Sequence, residues 1–289
     1  MSRSAFAPAK VNLFLHVGAP DAEGYHPLSS LVVFADVGDQ ISVEPAEDPA
    51  FLVDGPFAGG LAGEGDNLVL RAVRGLERAA GGSFPPLRLV LRKELPIAAG
   101  LGGGSSDAGA ALRLLREALQ LKLSDDALTE IAAGLGADGP MCLWREAAIA
   151  EGRGERLSAP PGLPEIHAVL VNPGVPSPTG PVYRAYDAAG APGGADRPPL
   201  PDAFDSVEEL AAVLGACRND LEAPAVALAP AIGAALHVLR GQPEVLLARM
   251  SGSGATCFAL CGGELEAASL AERLGAERPD WWVRACRLA

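Results

Sequence analysis

Pro96-Ile97-Ala98-Ala99-Gly100-Leu101-Gly102-Gly103-Gly104-Ser105-Ser106-Asp107-Ala108 follows an alternating apolar run, Leu87, Leu89 and Leu91. A helical pattern comes next, at Ala108, Ala111, Leu112, Leu115, Ala118 and Leu119. A strand therefore runs into a glycine loop that opens a helix. Glycine lets the backbone adopt positive φ and come close to a ligand. The first helical turn adds unpaired N–H groups and the positive end of the macrodipole, and Ser105 and Ser106 add hydroxyl donors. Such a device is suited to gripping phosphate. A flexible loop with an ordinary N-cap is the plainer reading, but it leaves the entropic cost of so many glycines without a return.

Two better-known phosphate loops fail here. No glycine loop ends in Gly-Lys-Ser/Thr. The dinucleotide fingerprint needs glycine at its first, third and sixth positions, and counting from Gly100 the sixth is Ser105.

The chain has 289 residues, 49% of them hydrophobic, which suffices for one large domain or two modest ones. No apolar run has the length of a membrane-spanning helix, and the first ten residues carry no signal-like core. Five cysteines lie scattered at 142, 217, 257, 261 and 286, with no zinc-knuckle pair, and read as reduced core thiols of a cytoplasmic protein. A formal net charge of −13 argues against nucleic-acid or anionic-membrane partners. It does not argue against a nucleotide, which needs only a few local cations and oriented N–H groups.

Segments 3–17, 28–36 and 39–45 have strand composition, punctuated by Gly24 and Gly38. The proline- and glycine-rich stretch 45–66 reads as a surface excursion. Helix signals cover 67–80, and a strand covers 87–93 before the glycine loop and its helix. Ser124-Asp125-Asp126 caps a further helix ending near Gly134-Leu135-Gly136, and 147–151 reads as a short strand. Beyond Arg156, strands are expected at 166–172, 246–250, 255–261 and 281–287. Helices are expected near 181–188, 206–216, 223–240 and 264–275, the second opened by a Ser206-x-x-Glu209 capping box. Residues 190–202 read as an exposed loop. The alternation predicts helices packed on a mostly antiparallel sheet.

Several polar residues stand out from this framework. Lys10 and Asn12 alone interrupt the apolar run from Ala7 to Leu15, and period two puts them on one face. A solvent-facing pair on an edge strand has the same appearance. In Gly24-Tyr25-His26-Pro27-Leu28, an aromatic face and an imidazole suit a nucleobase, although such a pair is often only a turn. Asp138, in Gly136-Ala137-Asp138-Gly139-Pro140, is either a turn former or a carboxylate aimed at a substrate. Met250-Ser251-Gly252-Ser253-Gly254-Ala255-Thr256 is a small-residue turn between apolar strands.

Together these stretches resemble the GHMP small-molecule kinases. Pro96 to Ser106 fits the family's second motif, Pro-x-x-x-Gly-Leu-Gly-x-x-Ser-Ser, residue for residue. Pro8-Ala9-Lys10-Val11-Asn12-Leu13 resembles the first motif of one subgroup, and residues 250–256 resemble the third motif. Arg218-Asn219-Asp220-Leu221-Glu222 and Pro173-Gly174-Val175, with Thr179 and Tyr183 beyond, are similar to further landmarks of that subgroup.

The resemblance implies an α+β, two-domain GHMP kinase fold, with an N-terminal ATP-binding α/β domain over 1–155. A C-terminal α/β sandwich with a mostly antiparallel sheet would occupy 156–289, and the active site would lie in the cleft between the domains. ATP would be wrapped by Pro96, Ala98, Ala99, Gly100, Leu101, Gly102, Gly103, Gly104, Ser105 and Ser106. Asp138 would be the catalytic base and Lys10 its catalytic partner; Asn12, Tyr25, His26, Thr179 and Tyr183 would meet the acceptor. The implied acceptor is a cytidine-diphosphate sugar alcohol on a route to isoprenoid precursors, phosphorylated by ATP with Mg²⁺ carried on the nucleotide. Asp107 is read as a helix cap in preference to a Mg²⁺ ligand, and no protein metal ligand is assigned. Monomer and homodimer both stay open. Glu23 stands where the subgroup has aspartate, and Gly139 where it has valine, which implies a looser turn beside Asp138. A GHMP kinase for homoserine or mevalonate, or a non-catalytic ATP-binding regulator, remains as an alternative.

Overall fold

Two long strands begin the fold, β1 (Arg3–Val17) and β2 (Leu28–Pro45), in a computed structural model that describes residues 3–61, 67–191 and 193–289. After them come β3 (Ala50–Asp54), α1 (Leu68–Ala80), β4 (Leu87–Arg92), α2 (Gly103–Ala118), α3 (Asp125–Ala133) and α4 (Gly139–Trp144). The chain continues through β5 (Ala148–Gly152), β6 (Arg156–Ser158), β7 (Ile166–Asn172), α5 (Thr179–Ala188) and α6 (Val207–Gly215). It ends with α7 (Glu222–Leu228), α8 (Pro230–Arg240), β8 (Val245–Met250), β9 (Cys257–Cys261), α9 (Glu264–Glu277) and β10 (Trp282–Leu288). No helix is long and apolar enough to cross a membrane among the described residues.

The described residues form two compact units, each assembled from separated segments. One takes 3–9, 38–61, 67–97 and 102–145; the other takes 10–37, 98–101, 146–191 and 193–289.

In the first unit, β4 pairs antiparallel with the end of β2, Gln40 opposite Arg92 and Pro45 opposite Leu87. On its other side β3 joins in parallel, Ala50 opposite Arg88. Ile41, Val43, Leu89 and Leu91 project from these strands into a core shared with Ala72, Leu76, Leu112 and Leu115 of α1 and α2. The small residues of α2 bring α4 close: a Cβ on Gly109 would lie 2.8 Å from the Cys142 carbonyl oxygen. Asn67 and Ser124 cap α1 and α3 by accepting from the backbone N–H of Leu70 and Ala127.

In the second unit, β7 lies between β10 and β9, antiparallel to both, and β8 continues beyond β9. The start of β2 pairs with β5, which pairs in turn with β6. Val169, Val171, Met250 and Ala259 meet Leu236, Leu239, Leu270 and Leu274 in the core. Buried Arg249 donates to the carbonyls of Leu13, Leu214 and Cys217, and so ties three segments together. The five cysteines are all free and buried, and Cys257 and Cys261 lie on β9 as their alternation implies.

Several elements differ from the sequence expectation. The helix expected over 223–240 is two helices, because Pro230 forces Ala229 out of the helical region, to φ −135° and ψ 85°. The expected break at Gly38 is absent: β2 is continuous, and Gly38 is there because a Cβ would run into the backbone of Ala7 and Pro8. The excursion over 45–66 contains β3, an edge strand; its residues 62–66 lie outside the described residues. The 190–202 loop, whose residue 192 is likewise outside, is tied down. Gly193 N–H donates to the Tyr186 hydroxyl, Arg218 donates to the Gly194 carbonyl, and the His16 ring meets the Asp196 carbonyl. Ser206 caps α6, but Glu209 reaches the N–H of Asp205 and leaves the capping box incomplete.

Candidate active site

The glycine loop enters the second unit for four residues, and each of their carbonyls is held by the protein. Ser177 N–H donates to Ala98 O (3.2 Å), Thr256 N–H to Ala99 O (3.0 Å), Ser251 Oγ to Gly100 O (3.0 Å) and Lys10 N–H to Leu101 O (2.8 Å). No acceptor takes the N–H groups of Ala98 to Leu101 among the described residues. Carbonyls tied inward with N–H groups left over is the arrangement an anion needs. Gly100 has φ +74°, and a Cβ there would collide with the Ser251 carbonyl and lie 2.8 Å from Gly254 N. The turn at 250–256 therefore buttresses the loop, and Asn219 fixes the turn by donating to the carbonyls of Met250 and Gly252. This is the structural purpose of the Asn219-Asp220-Leu221 landmark. Asp220 accepts from Val17 N–H and Arg218.

Lys10 and Asn12 form a buried polar row on β1. Lys10 Nζ donates to Asn12 Oδ1 (2.9 Å), Asn12 Nδ2 donates to Ser30 Oγ (2.7 Å), and Ser30 Oγ donates to the Phe14 carbonyl (2.6 Å). Ser251 Oγ also accepts from Asn12 N–H (3.1 Å), so the row joins the buttress of the loop. Lys10 is only 6% exposed, which excludes the solvent-facing reading. Burying two such groups is tolerated because each is hydrogen-bonded.

The aromatic candidates divide. His26 stacks against Tyr183 at 5.0 Å between centroids and meets the edge of Tyr186 at 5.8 Å. Its Nδ1 lies 2.9 Å from the Gly18 carbonyl, which fixes the ring hydrogen there, and Nε2 faces Asp187 at 3.3 Å. Tyr25, 54% exposed, has one ring face under the Arg153 guanidinium, 4.0 Å from the centroid. Arg153 is held in turn by Asp21 and Glu23, so the Glu23 departure has a local partner. Thr179 Oγ1 pairs with Ser253 Oγ at 2.9 Å.

The first unit carries Gly102 to Ser106 and Asp138. Helix α2 begins at Gly103, five residues before the apolar pattern, with Gly102 as N-cap at φ +61°. Ser105 and Ser106 therefore lie in its first turn. Ser106 is fully buried, and its hydroxyl has no partner among the described residues. Asp107 is not the cap. It accepts from Lys93 Nζ at 2.8 Å, while Lys93 also donates to Asp39. Asp39 and Lys93 drew no attention in the sequence, since one polar residue after a glycine and one closing a strand are ordinary. Asp138 is the N-cap residue of α4 but does not cap with its side chain. Gly139 does not loosen the turn. A Cβ there would run into the Ala132 carbonyl, so glycine lets α4 pack tightly on α3.

Comparison with known proteins identifies the family. Residues 67–146 match the GHMP kinases N terminal domain, and 202–280 match the GHMP kinases C terminal family. The chain is 67% identical over its full length, and that of the relative, to 4-diphosphocytidyl-2-C-methyl-D-erythritol kinase of Caulobacter vibrioides strain NA1000 / CB15N. A crystal structure of 4-(cytidine 5'-diphospho)-2C-methyl-D-erythritol kinase superposes with a TM-score of 0.80 at 35% identity, covering 100% of this chain and 99% of that one. Homoserine kinase from Cytophaga hutchinsonii shares the fold alone, with a TM-score of 0.67 at 16% identity over 99% of this chain and 94% of that one. With such identity along its whole length, the chain belongs to the 4-diphosphocytidyl-2-C-methyl-D-erythritol kinase family of GHMP kinases.

Proposed function

We propose that this chain transfers the γ-phosphoryl group of ATP to the 2-hydroxyl of 4-diphosphocytidyl-2-C-methyl-D-erythritol, giving the 2-phosphate and ADP on the non-mevalonate route to isoprenoid precursors. The observation that carries this reading is the loop segment Ala98 to Leu101, whose four carbonyls are tied into the protein, in a chain 67% identical over its full length to a kinase of that name. Phosphoryl transfer asks for positioning and charge stabilisation more than for covalent chemistry. Residues 96–106 hold the phosphates. Asp138 takes the proton of the attacking hydroxyl as the new O–P bond forms and the bond to the ADP oxygen breaks. Lys10, buried and held by Asn12, supplies a fixed positive charge to the developing anion. Tyr25, His26 and Tyr183 favour a flat, polar-edged base such as cytosine, with Thr179 and Asn12 on the sugar alcohol.

Mg²⁺ shares the charge of the phosphates when bound. No cluster of three or more His, Cys, Asp or Glu among the described residues fits a metal site, and Asp107 is committed to Lys93. We read the cation as carried by the nucleotide and assign it no protein ligand. The reading places the enzyme in the cytoplasm.

The test is ADP release with ATP, Mg²⁺ and the cytidine substrate, run beside homoserine, mevalonate and the sugar alcohol lacking cytidine. Turnover confined to the cytidine substrate is expected. Equal turnover without the cytidine would remove the base clamp, and silence in protein that binds ATP would remove the acceptor assignment.

A further inference from the structure

Beneath the first turn of α2 lies a buried cluster that the reaction does not use. Lys93 follows β4 directly, Asp39 belongs to β2, and Asp107 is the fifth residue of α2. Their side chains are 4%, 0% and 3% exposed. Asp39 uses one oxygen to accept from the backbone N–H groups of Glu94 (2.6 Å) and Leu95 (2.9 Å) and the other to accept from Lys93 Nζ (2.5 Å). Lys93 then reaches Asp107 Oδ2, leaving Asp107 Oδ1 buried without a partner among the described residues. The cluster therefore ties the segment entering the glycine loop to the helix leaving it. It also lies directly against the phosphate-binding turn: a Cβ on Gly103 would lie 3.4 Å from Lys93 Nζ and 3.6 Å from Asp39 Oδ2.

We propose that Asp39, Lys93 and Asp107 form a positioning clip under the phosphate-binding turn of α2, and that the charge on the clip sets nucleotide affinity. The inference rests on the reading of residues 102–106 as a phosphate site. With both carboxylates ionised, the clip carries a net negative charge against the N-terminal end of α2, where it opposes the positive helix end that anions need. With Asp107 protonated the clip is neutral and the opposition ends. Burial pushes the Asp107 carboxyl up to about 7, with Lys93 acting against the rise and Asp39 adding to it. The charges bearing on Asp107 most are those two. The buried faces of the helices packed on α2 are uncharged: Val69, Ala72, Gly75 and Leu76 on α1, Leu128 and Ala132 on α3, and Gly139, Met141, Cys142 and Leu143 on α4.

The experiment is the dissociation constant of Mg-ATP, without the alcohol, for the full chain between pH 5.5 and 9. Wild type is expected to weaken about three- to tenfold as pH rises through the neutral region, the size of one partly screened charge near the phosphates. Asp107→Asn, which keeps an acceptor for Lys93 and removes the titration, is expected to flatten this rise relative to wild type. The comparison cancels protonation of the nucleotide itself. Asp39→Asn removes the charge that raises Asp107, so its inflection is expected at lower pH; this variant carries the test if Asp107→Asn does not fold. An unchanged inflection in either variant overturns the inference. Absence of Mg-ATP binding by wild type at every pH overturns the phosphate-site reading, and this inference with it.

Discussion

Asp138 and Lys10 illustrate how one residue type acquires two readings from its surroundings. In the sequence each is a common polar residue, one in a turn and one on a strand. In the structure Asp138 occupies the N-cap position of α4 without capping it with its side chain, so the carboxylate is not serving the ordinary purpose of such an acid. Lys10 is buried at 6% exposure, its ammonium fixed by Asn12 and its backbone N–H on Leu101. Asp138→Asn is isosteric and leaves the packing of Gly139 on Ala132 intact. It should lower kcat by about two to four orders of magnitude, the range for losing a general base, while the Kd for ATP stays within about twofold. A variant with near-wild-type kcat would take Asp138 out of the proton transfer. Equal losses of kcat and ATP affinity would make it a structural residue instead.

At the scale of elements, the glycines of the phosphate loop separate into two kinds. Gly100 has a left-handed backbone and no room for a Cβ against Ser251 and Gly254. Gly104 is exposed, lies inside α2 with helical neighbours, and among the described residues its Cβ would meet only Leu68 Cδ1, at 3.3 Å. Gly100→Ala should therefore cost stability, roughly 1–2 kcal/mol from the backbone alone, and weaken ATP by displacing the loop. Gly104→Ala should be neutral or stabilising by up to about 1 kcal/mol, because alanine is the better helix former. If phosphate approaches the α2 backbone here, the same variant should still raise KM for ATP several-fold. Thermal unfolding and ATP kinetics on the two variants check this: a Gly104→Ala enzyme with unchanged KM would place the nucleotide away from that residue.

Across the whole molecule, what was legible in the sequence was what local pattern encodes. Apolar strand composition marks β1, β7 and β10, and the caps at Ser124 and Ser206 are legible in three and four residues respectively. Lys10 and Asn12 were legible because they break an apolar run. The clip was not. Asp39, Lys93 and Asp107 are 54 and 14 positions apart along the chain and meet only when β2, β4 and α2 pack. The continuity of β2 through Gly38 escaped for the same reason, since its cause is the distant backbone of Ala7 and Pro8. Such long-range burial shows itself in global stability. In the folded chain burial holds the Asp107 carboxyl near 7, against an ordinary value of 3.8 when unfolded. Between those values the folded state binds the extra proton, so this group's contribution to stability falls as pH rises from about 4 to about 7. His16 runs the other way: burial lowers its imidazole, so its contribution falls as pH drops below its ordinary 6.5. The two trends oppose each other in wild type, and only a difference isolates Asp107. The melting temperature of Asp107→Asn minus that of wild type should rise by a few degrees between pH 5 and pH 8, with each pKa unit removed worth about 1.4 kcal/mol. A difference that stays flat over that range would mean that Asp107 is ionised throughout, held as a permanent anion by Lys93, with the cost of its open oxygen met elsewhere in the fold.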